Sequence, residues 1–258
     1  MKDFNTYWVS TVARTGSMWI TNVIKEIFAN SNFNVLPKKS IRTNSENVEI
    51  YKSQALIDKN KLNKYVFKIH AKIEKIPPGS KVITTIRNPY DICASYHEFM
   101  KCKLVNSINS ALLLIDFITH YKDTSENVCI VNYDDIETKP TSLVKELGLF
   151  CDVQISENQI NEIVNKYEKK KIQKLIEKND IELKRIIDEN QKIDEQKIVR
   201  GIEGGLRSFD LNTGFQSGHI SKRKNGEWKK VFSEEEIHEI IERIDPIAIK
   251  LGYNSEKH

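Results

Sequence analysis

The chain has 258 residues, 39% of them apolar, and a net charge of +4 from 40 basic and 36 acidic side chains. That length suits one α/β domain with insertions or two small domains, and the mild charge excess excludes a protein that coats nucleic acid while leaving room for a local basic pocket. Ten glycines and six prolines exclude collagen-like and linker-rich classes.

In chain order, Tyr7 to Val12 reads as a strand and residues 17 to 30 as a helix. Trp19, Ile20, Val23, Ile24, Ile27 and Phe28 fall three and four apart. Between them lies Arg14-Thr15-Gly16-Ser17. A strand feeding a helix through a glycine turn with a cation and hydroxyls can hold an anion on free backbone N–H groups. An ordinary turn with a serine cap fits these residues equally well. The stretch is not the nucleotide-kinase loop G-x-x-x-x-G-K-[ST], because it lacks the first glycine and the lysine after the second.

Residues 31 to 63 are mixed and polar, with a short strand near Phe33 to Leu36. Tyr65 to His70 reads as a second buried strand, and Pro77-Pro78-Gly79 as a turn. Lys81 to Arg87, rich in β-branched residues, is the next strand. Pro89 suits the first turn of a helix running from Tyr90 through Phe99. A helix over 107–121, a strand from Val128 to Tyr133 and a helix over 140–149 follow. Residues 156 to 200 are highly charged and helix-forming. They read as a solvated hairpin or as a lid, with Gly201, Gly204 and Gly205 as its hinge.

Cys93, Cys102, Cys129 and Cys151 form no CxxC pair and no zinc spacing, so they are expected as small buried hydrophobes. Met1 to Asn5 is polar and the apolar run behind it is short, so no secretory signal is expected. No stretch reaches the roughly 18 to 20 apolar residues of a membrane span. A cytoplasmic setting is expected, with neither membrane nor nucleic acid as partner.

Strands alternating with helices point to a parallel sheet covered on both faces, which binds ligands beyond the C-terminal ends of its strands. Arg14, His70, Arg87 and Tyr133 all lie at or just past such ends. Lys68 and His70 share one face of their strand, and the lysine deters protonation of the imidazole. Ser95 lies eight residues beyond Arg87. Lys222, Arg223 and Lys224 precede a glycine turn, with Lys229 and Lys230 behind it. Such cations are either solvated or a second anion clamp. Two anion sites, an aromatic and a base fit a nucleotide with phosphates in two places.

Five ordered segments carry a resemblance to the cytosolic-type sulfotransferases, which use 3′-phosphoadenosine 5′-phosphosulfate (PAPS). "ARTGSMW" resembles the family's 5′-phosphosulfate loop K-S-G-T-T-W. "KIH" resembles the K-T-H segment with the catalytic histidine, and "RNPYDICASYHEF" the 3′-phosphate segment. "VNYDDI" is similar to the Y-E-D segment, and "KNGEWKK" to the C-terminal G-D-W-K region. The resemblance implies a single domain over 1–258, with a central parallel sheet and a P-loop-like site, in which the charged helical stretch around 156–205 is a lid-like insertion on its own residue pattern.

It further implies roles. Arg14, Thr15, Gly16, Ser17 and Met18 would wrap the phosphosulfate, with Trp19 and Tyr133 at the adenine. Arg87, Ser95 and cations among Lys222, Arg223 and Lys224 would hold the 3′-phosphate. His70 would be the base. Arg14 and Lys68 would stabilise the leaving phosphate. Phe99 would line the acceptor pocket, and no metal is expected.

Three positions depart from the pattern. Arg14 replaces a lysine, giving a planar fork in place of a point charge. The R-K-G clamp is displaced, with Ser221 and Arg223 at its arginine and glycine positions. The dimer signature is degraded to Lys229, Ser233, Glu234 and His238, so the oligomeric state stays open.

The implied reaction is sulfuryl transfer to a hydroxyl or amine of a small molecule. The rivals are a small-molecule kinase on a related fold and a nucleotide-binding module without chemistry. The wording of the first and third motifs is most similar to bacterial natural-product sulfotransferases, with cyanobacterial guanidinium-alkaloid toxins as possible acceptors. A cationic acceptor needs a carboxylate. Glu98 and Asp116 read first as ordinary solvent-facing acids; for that place Glu98, three beyond Ser95, is favoured over Asp116.

Overall fold

A computed structural model describes residues 4–122, 127–201 and 204–255. The sheet has five parallel strands in the order β2-β3-β1-β4-β5. They are β1 (Thr6–Ser10), β2 (Asn34–Leu36), β3 (Asn63–Ile69), β4 (Ser80–Ile86) and β5 (Val128–Asn132). The helices α1 (Ser17–Ala29), α2 (Asn44–Ile50), α3 (Pro89–Met100), α4 (Leu104–Lys122), α5 (Asp135–Thr138) and α6 (Pro140–Phe150) follow the strands in chain order. Beyond them come α7 (Glu157–Lys166), α8 (Lys169–Asp188), the antiparallel pair β6 (Ile198–Arg200) and β7 (Leu206–Ser208), and α9 (Glu234–Ala248).

Successive side chains of the central strands enter opposite cores, as a period of two requires. Tyr7 and Val9 join α1, α6, α7 and α8 on one face. Trp8 joins α3, α4 and α9 on the other. Both faces are covered, so all five residues of β1 are buried. Leaving β1, the chain forms a loop in place of the last two strand residues expected from the sequence. Thr11 stays on the sheet edge through its N–H to the Ile69 carbonyl, 3.1 Å.

The charged segment 156–200 docks through one stripe. Ile160 and Ile163 of α7 and Ile172 and Ile176 of α8 are buried in the α1 core, while the remaining faces are solvated. The expected glycine hinge includes residues 202–203, which lie outside the described residues. Gly201 and Gly205 themselves are joined, the Gly201 N–H meeting the Gly205 carbonyl at 2.8 Å. All four cysteines are free, with Cys93 and Cys151 buried. Among the described residues, no helix is long and apolar enough to cross a membrane.

Candidate active site

The loop between β1 and α1 turns sharply at two left-handed positions, Arg14 (φ 69°) and Gly16 (φ 85°). A Cβ on Gly16 would come within 2.5 Å of the Ile136 side-chain tip and 3.1 Å of the Tyr133 ring, so both would have to shift, and the left-handed φ favours glycine in any case. Thr15 braces the loop from inside. Its hydroxyl donates to the Val12 carbonyl at 2.7 Å and accepts from Thr85 of β4 at 2.5 Å. Helix α1 then begins with no side-chain cap. The backbone N–H groups of Ser17, Met18 and Trp19 meet no acceptor among the described residues, so they are free for an anion.

His70 follows β3. Its Nδ1 lies 3.0 Å from the Thr11 carbonyl, which sets the tautomer with the proton on Nδ1 and leaves a lone pair on Nε2. Lys68 Nζ stands 3.2 Å from that Nε2. Although His70 opens onto the cavity, desolvation by the surrounding protein, then the charges of Lys68 and Arg14, lower its pKa to about 3. Desolvation also brings Lys68 down to about 8. The imidazole is therefore neutral at physiological pH.

Arg87, at the end of β4, is buried. It donates to the Arg14 carbonyl at 2.5 Å and to Asn225 at 3.1 Å, and stacks on Tyr133 at 3.9 Å. Its Nε has no partner. Ser95, buried on α3, accepts a 3.0 Å bond from Arg14 Nε. The Arg14 guanidinium stacks on Phe99 at 4.3 Å and donates to the His219 carbonyl at 3.0 Å. Burial, then the Arg87 charge, pushes its pKa down to about 10. Arg14, Lys68 and Arg87 have no carboxylate partner among the described residues, although all three line one cavity of about 720 Å³. A cluster of desolvated cations without counter-ions fits a ligand carrying several negative charges.

Trp19 lines the same cavity, mostly buried, its indole N–H donating to the Tyr167 carbonyl at 3.2 Å. Gly16, Ser17, Met18, Tyr133 and Phe99 line it as well, whereas Thr15 lies beneath the loop. The charged insertion contributes Val164, Tyr167, Glu168, Lys169 and Ile172 to its wall.

Four expected contacts take another form. The Arg223 side chain is 7% exposed and ion-paired to the buried Asp91 at 2.6 Å, so its charge is already met. Lys222 and Lys224 are exposed and do not line the cavity. Ser221 lines it in their place, and Asn225 reaches Arg87. Glu98 also lies off the cavity. Its carboxylate is drawn to Ser221 at 3.3 Å and Arg223 at 3.6 Å, although its helix spacing matches that of Ser95. Asp116 is on the surface with Lys72, 2.7 Å away.

Sequence reasoning passes over His219 and Arg207. His219 lies three residues before the cations at 222–224, and its ring is 5.3 Å from Phe99. Burial, then the charges of Arg14 and Lys68, hold its pKa well below the ordinary histidine range. Arg207 covers the Phe99 ring at 4.4 Å, so that two guanidiniums contact one aromatic side chain. Neither residue carries a local sequence signal beyond its type.

Among solved structures, retinol dehydratase in complex with retinol and PAP (3′-phosphoadenosine 5′-phosphate) is 15% identical. It has a TM-score of 0.59, with 95% of this chain and 81% of that chain covered. A mouse sulfotransferase complexed with PAP is 13% identical, with a TM-score of 0.59 over 95% and 85% of the two chains. The sulfotransferase domain from the curacin biosynthetic pathway is 14% identical, with a TM-score of 0.50 over 97% and 98%. None of the curated proteins matches. At these identities the structural likeness concerns the fold. The sequence itself carries the family, because the model of the sulfotransferase domain matches residues 5–251, and the chain belongs to the sulfotransferase domain family.

Proposed function

We propose that the protein transfers the sulfuryl group of PAPS to a hydroxyl of a small-molecule acceptor, with His70 as base. The observation that carries this reading is the setting of His70. Its Nδ1–H is anchored on Thr11, and its Nε2 faces the cavity beside a loop with three unengaged amides. Bound PAPS supplies an activated sulfuryl group on a phosphate leaving group. The donor set fits it: the loop amides suit the phosphosulfate, and Arg87 with its free Nε and Ser95 suit the 3′-phosphate.

His70 Nε2 is occupied by Lys68 in the free protein. Turning to the phosphosulfate oxygens, Lys68 releases Nε2 for the acceptor hydroxyl. His70 then removes the acceptor proton as its oxygen attacks sulfur. Lys68, Arg14 and the loop amides stabilise charge gathering on the leaving phosphate. Tyr133 and Trp19 flank the adenine, and Phe99 borders the acceptor.

The PAP bound in the two sulfotransferase-fold neighbours, and the retinol bound in one, support a nucleotide donor and a small acceptor. Natural-product tailoring draws support from the wording of the motifs and from the curacin-pathway neighbour. A guanidinium-alkaloid acceptor would require a carboxylate in the cavity at the acceptor end, where Glu98 is turned away. The test is thermal shift followed by turnover. PAP should stabilise the protein without Mg²⁺ and ATP much less, and mass spectrometry should find a sulfated acceptor. Stabilisation by Mg²⁺–ATP over PAP would favour the kinase reading. Binding of PAP with no sulfated product from a broad acceptor panel would favour a module without chemistry.

A further inference from the structure

Strand order sets the layout of the cavity. Across the sheet, the strand ends deliver His70 after β3, the Arg14 loop after β1, Arg87 after β4 and Tyr133 after β5. On the sulfotransferase reading, the nucleotide lies over β4 and β5 and the acceptor over β2 and β3.

The two ends differ in their carboxylates. Glu137 and Glu168 line the β5 end, where Glu137 is ion-paired with Lys169 at 2.8 Å. The β2–β3 end has Arg42 and Lys68, and among the described residues no carboxylate lines it. Arg42 follows β2 and is exposed at the cavity rim. One of its nitrogens, Nη1, donates to the carbonyls of Glu195 and Ile198, each at 3.0 Å, which fixes the guanidinium in place. Its Nε and Nη2 have no partner among the described residues.

The nearby carboxylates are engaged elsewhere. Glu46 closes the Thr43 cap, accepting from its backbone N–H at 3.1 Å. Glu195 pairs with Arg200 at 3.0 Å. This end also has an apolar wall. The 209–215 segment lies against Ser40, whose N–H reaches the Leu211 carbonyl at 2.7 Å, and it brings Phe209 and Phe215 to the wall.

We propose that the acceptor is an apolar or aromatic hydroxyl compound bearing a carboxylate-class anionic group, held by Arg42 at the rim while its hydroxyl faces His70. This rests on the sulfotransferase reading. An anion there gains a charge-assisted, two-pronged contact from the free guanidinium edge. A cation would face Arg42, Lys68 and Arg14 without a counter-ion.

The test offers three matched series with PAPS: 4-hydroxyphenylalkanoic acids of increasing chain length, their carboxamides and the corresponding amines. The acids should exceed the carboxamides in kcat/KM by about 10-fold or more, with the amines poorest. In Arg42→Gln the acid-to-carboxamide ratio should fall towards one through the KM of the acid, and Arg42→Lys should keep part of the preference. Calorimetry of acids binding to the PAP-loaded protein gives the same comparison where turnover is slow. Amines preferred over acids, or a ratio unmoved by Arg42→Gln, overturn the inference while product formation keeps the sulfotransferase reading intact. No sulfated product together with no PAP binding overturns both.

Discussion

Lys68 Nζ stands 3.2 Å from His70 Nε2, while the other ring nitrogen of His70 is held by the Thr11 carbonyl at 3.0 Å. One nitrogen is thus an anchor and the other a lone pair covered by a displaceable cation. His70→Ala removes the lone pair but no anion-binding group. Turnover should fall about 10² to 10⁴-fold, the usual contribution of a positioned base. The calorimetric Kd for PAP should stay within a few-fold of the parent protein. Near-normal turnover in this variant would falsify the assignment of the base.

With Lys68 on the donor phosphate, as proposed, PAP binding should depend on pH in a defined window. Its pKa in the free protein is about 8, lowered by burial, and an adjacent phosphate oxygen would raise it in the complex. Below pH 8 the ammonium is charged in both states and affinity is insensitive to this group. Above pH 8 the free protein has lost the proton that the complex needs, so PAP affinity should fall as pH rises. Lys68→Met should flatten this limb. Affinity constant from pH 7 to pH 10 in the parent protein, measured by calorimetry, would remove Lys68 from the donor site.

Arg87 is committed to Arg14 and Asn225 through its terminal nitrogens, while its buried Nε is free. If that edge and Ser95 read the 3′-phosphate, Arg87→Ala should weaken PAP far more than adenosine 5′-phosphosulfate, which lacks this phosphate. Equal losses for the two ligands would show that Arg87 supports the loop and does not read the nucleotide.

Much of this arrangement is legible in the sequence because it depends on short-range pattern. Strands β1 and β3 centre on apolar runs and β4 on β-branched residues, and the site residues follow directly from where those runs end. Helix α2 lies in a polar stretch and buries only Asn47, so periodicity does not show it, although the Thr43–Glu46 capping box marks its start. Helix α9 carries a similar box at Ser233 and Glu236 within a charged run. The fate of Arg223 and Glu98 is of another kind. A helix repeat places Glu98 with Ser95, but its direction is decided by Arg223, which reaches it from a distant loop. Sequence spacing holds no record of that meeting.

Gly16 tests whether the loop shape itself is needed. Alanine there meets a left-handed φ of 85° and a contact of 2.5 Å with Ile136. The left-handed conformation alone costs about 1 to 2 kcal/mol for a residue with a Cβ. Gly16→Ala should lower the unfolding free energy by at least that much in urea titration and weaken PAP by 10-fold or more, roughly the loss of one charge-assisted contact. A variant as stable and as tight-binding as the parent would mean that the loop relaxes freely and that its amides are not preset.

The buried pair of Asp91 and Arg223 separates a structural role from a phosphate-binding one. Asp91 accepts from Arg223 Nη1 at 2.6 Å and from the Gly226 N–H at 2.7 Å, so it ties the C-terminal loop to the first turn of α3. Removing one partner leaves the other charged and buried, which costs about 3 to 5 kcal/mol in such pairs. Asp91→Asn should therefore destabilise strongly even though it adds no negative charge to the donor site. Arg223→Met should do the same, and PAP affinity measured on the folded fraction at low temperature should change by only a few-fold. Pairing the two changes, as Asp91→Leu with Arg223→Met, should recover part of the loss, because no unmatched charge is then buried. A selective fall in PAP affinity for Arg223→Met, with stability unchanged, would instead place this arginine on the 3′-phosphate.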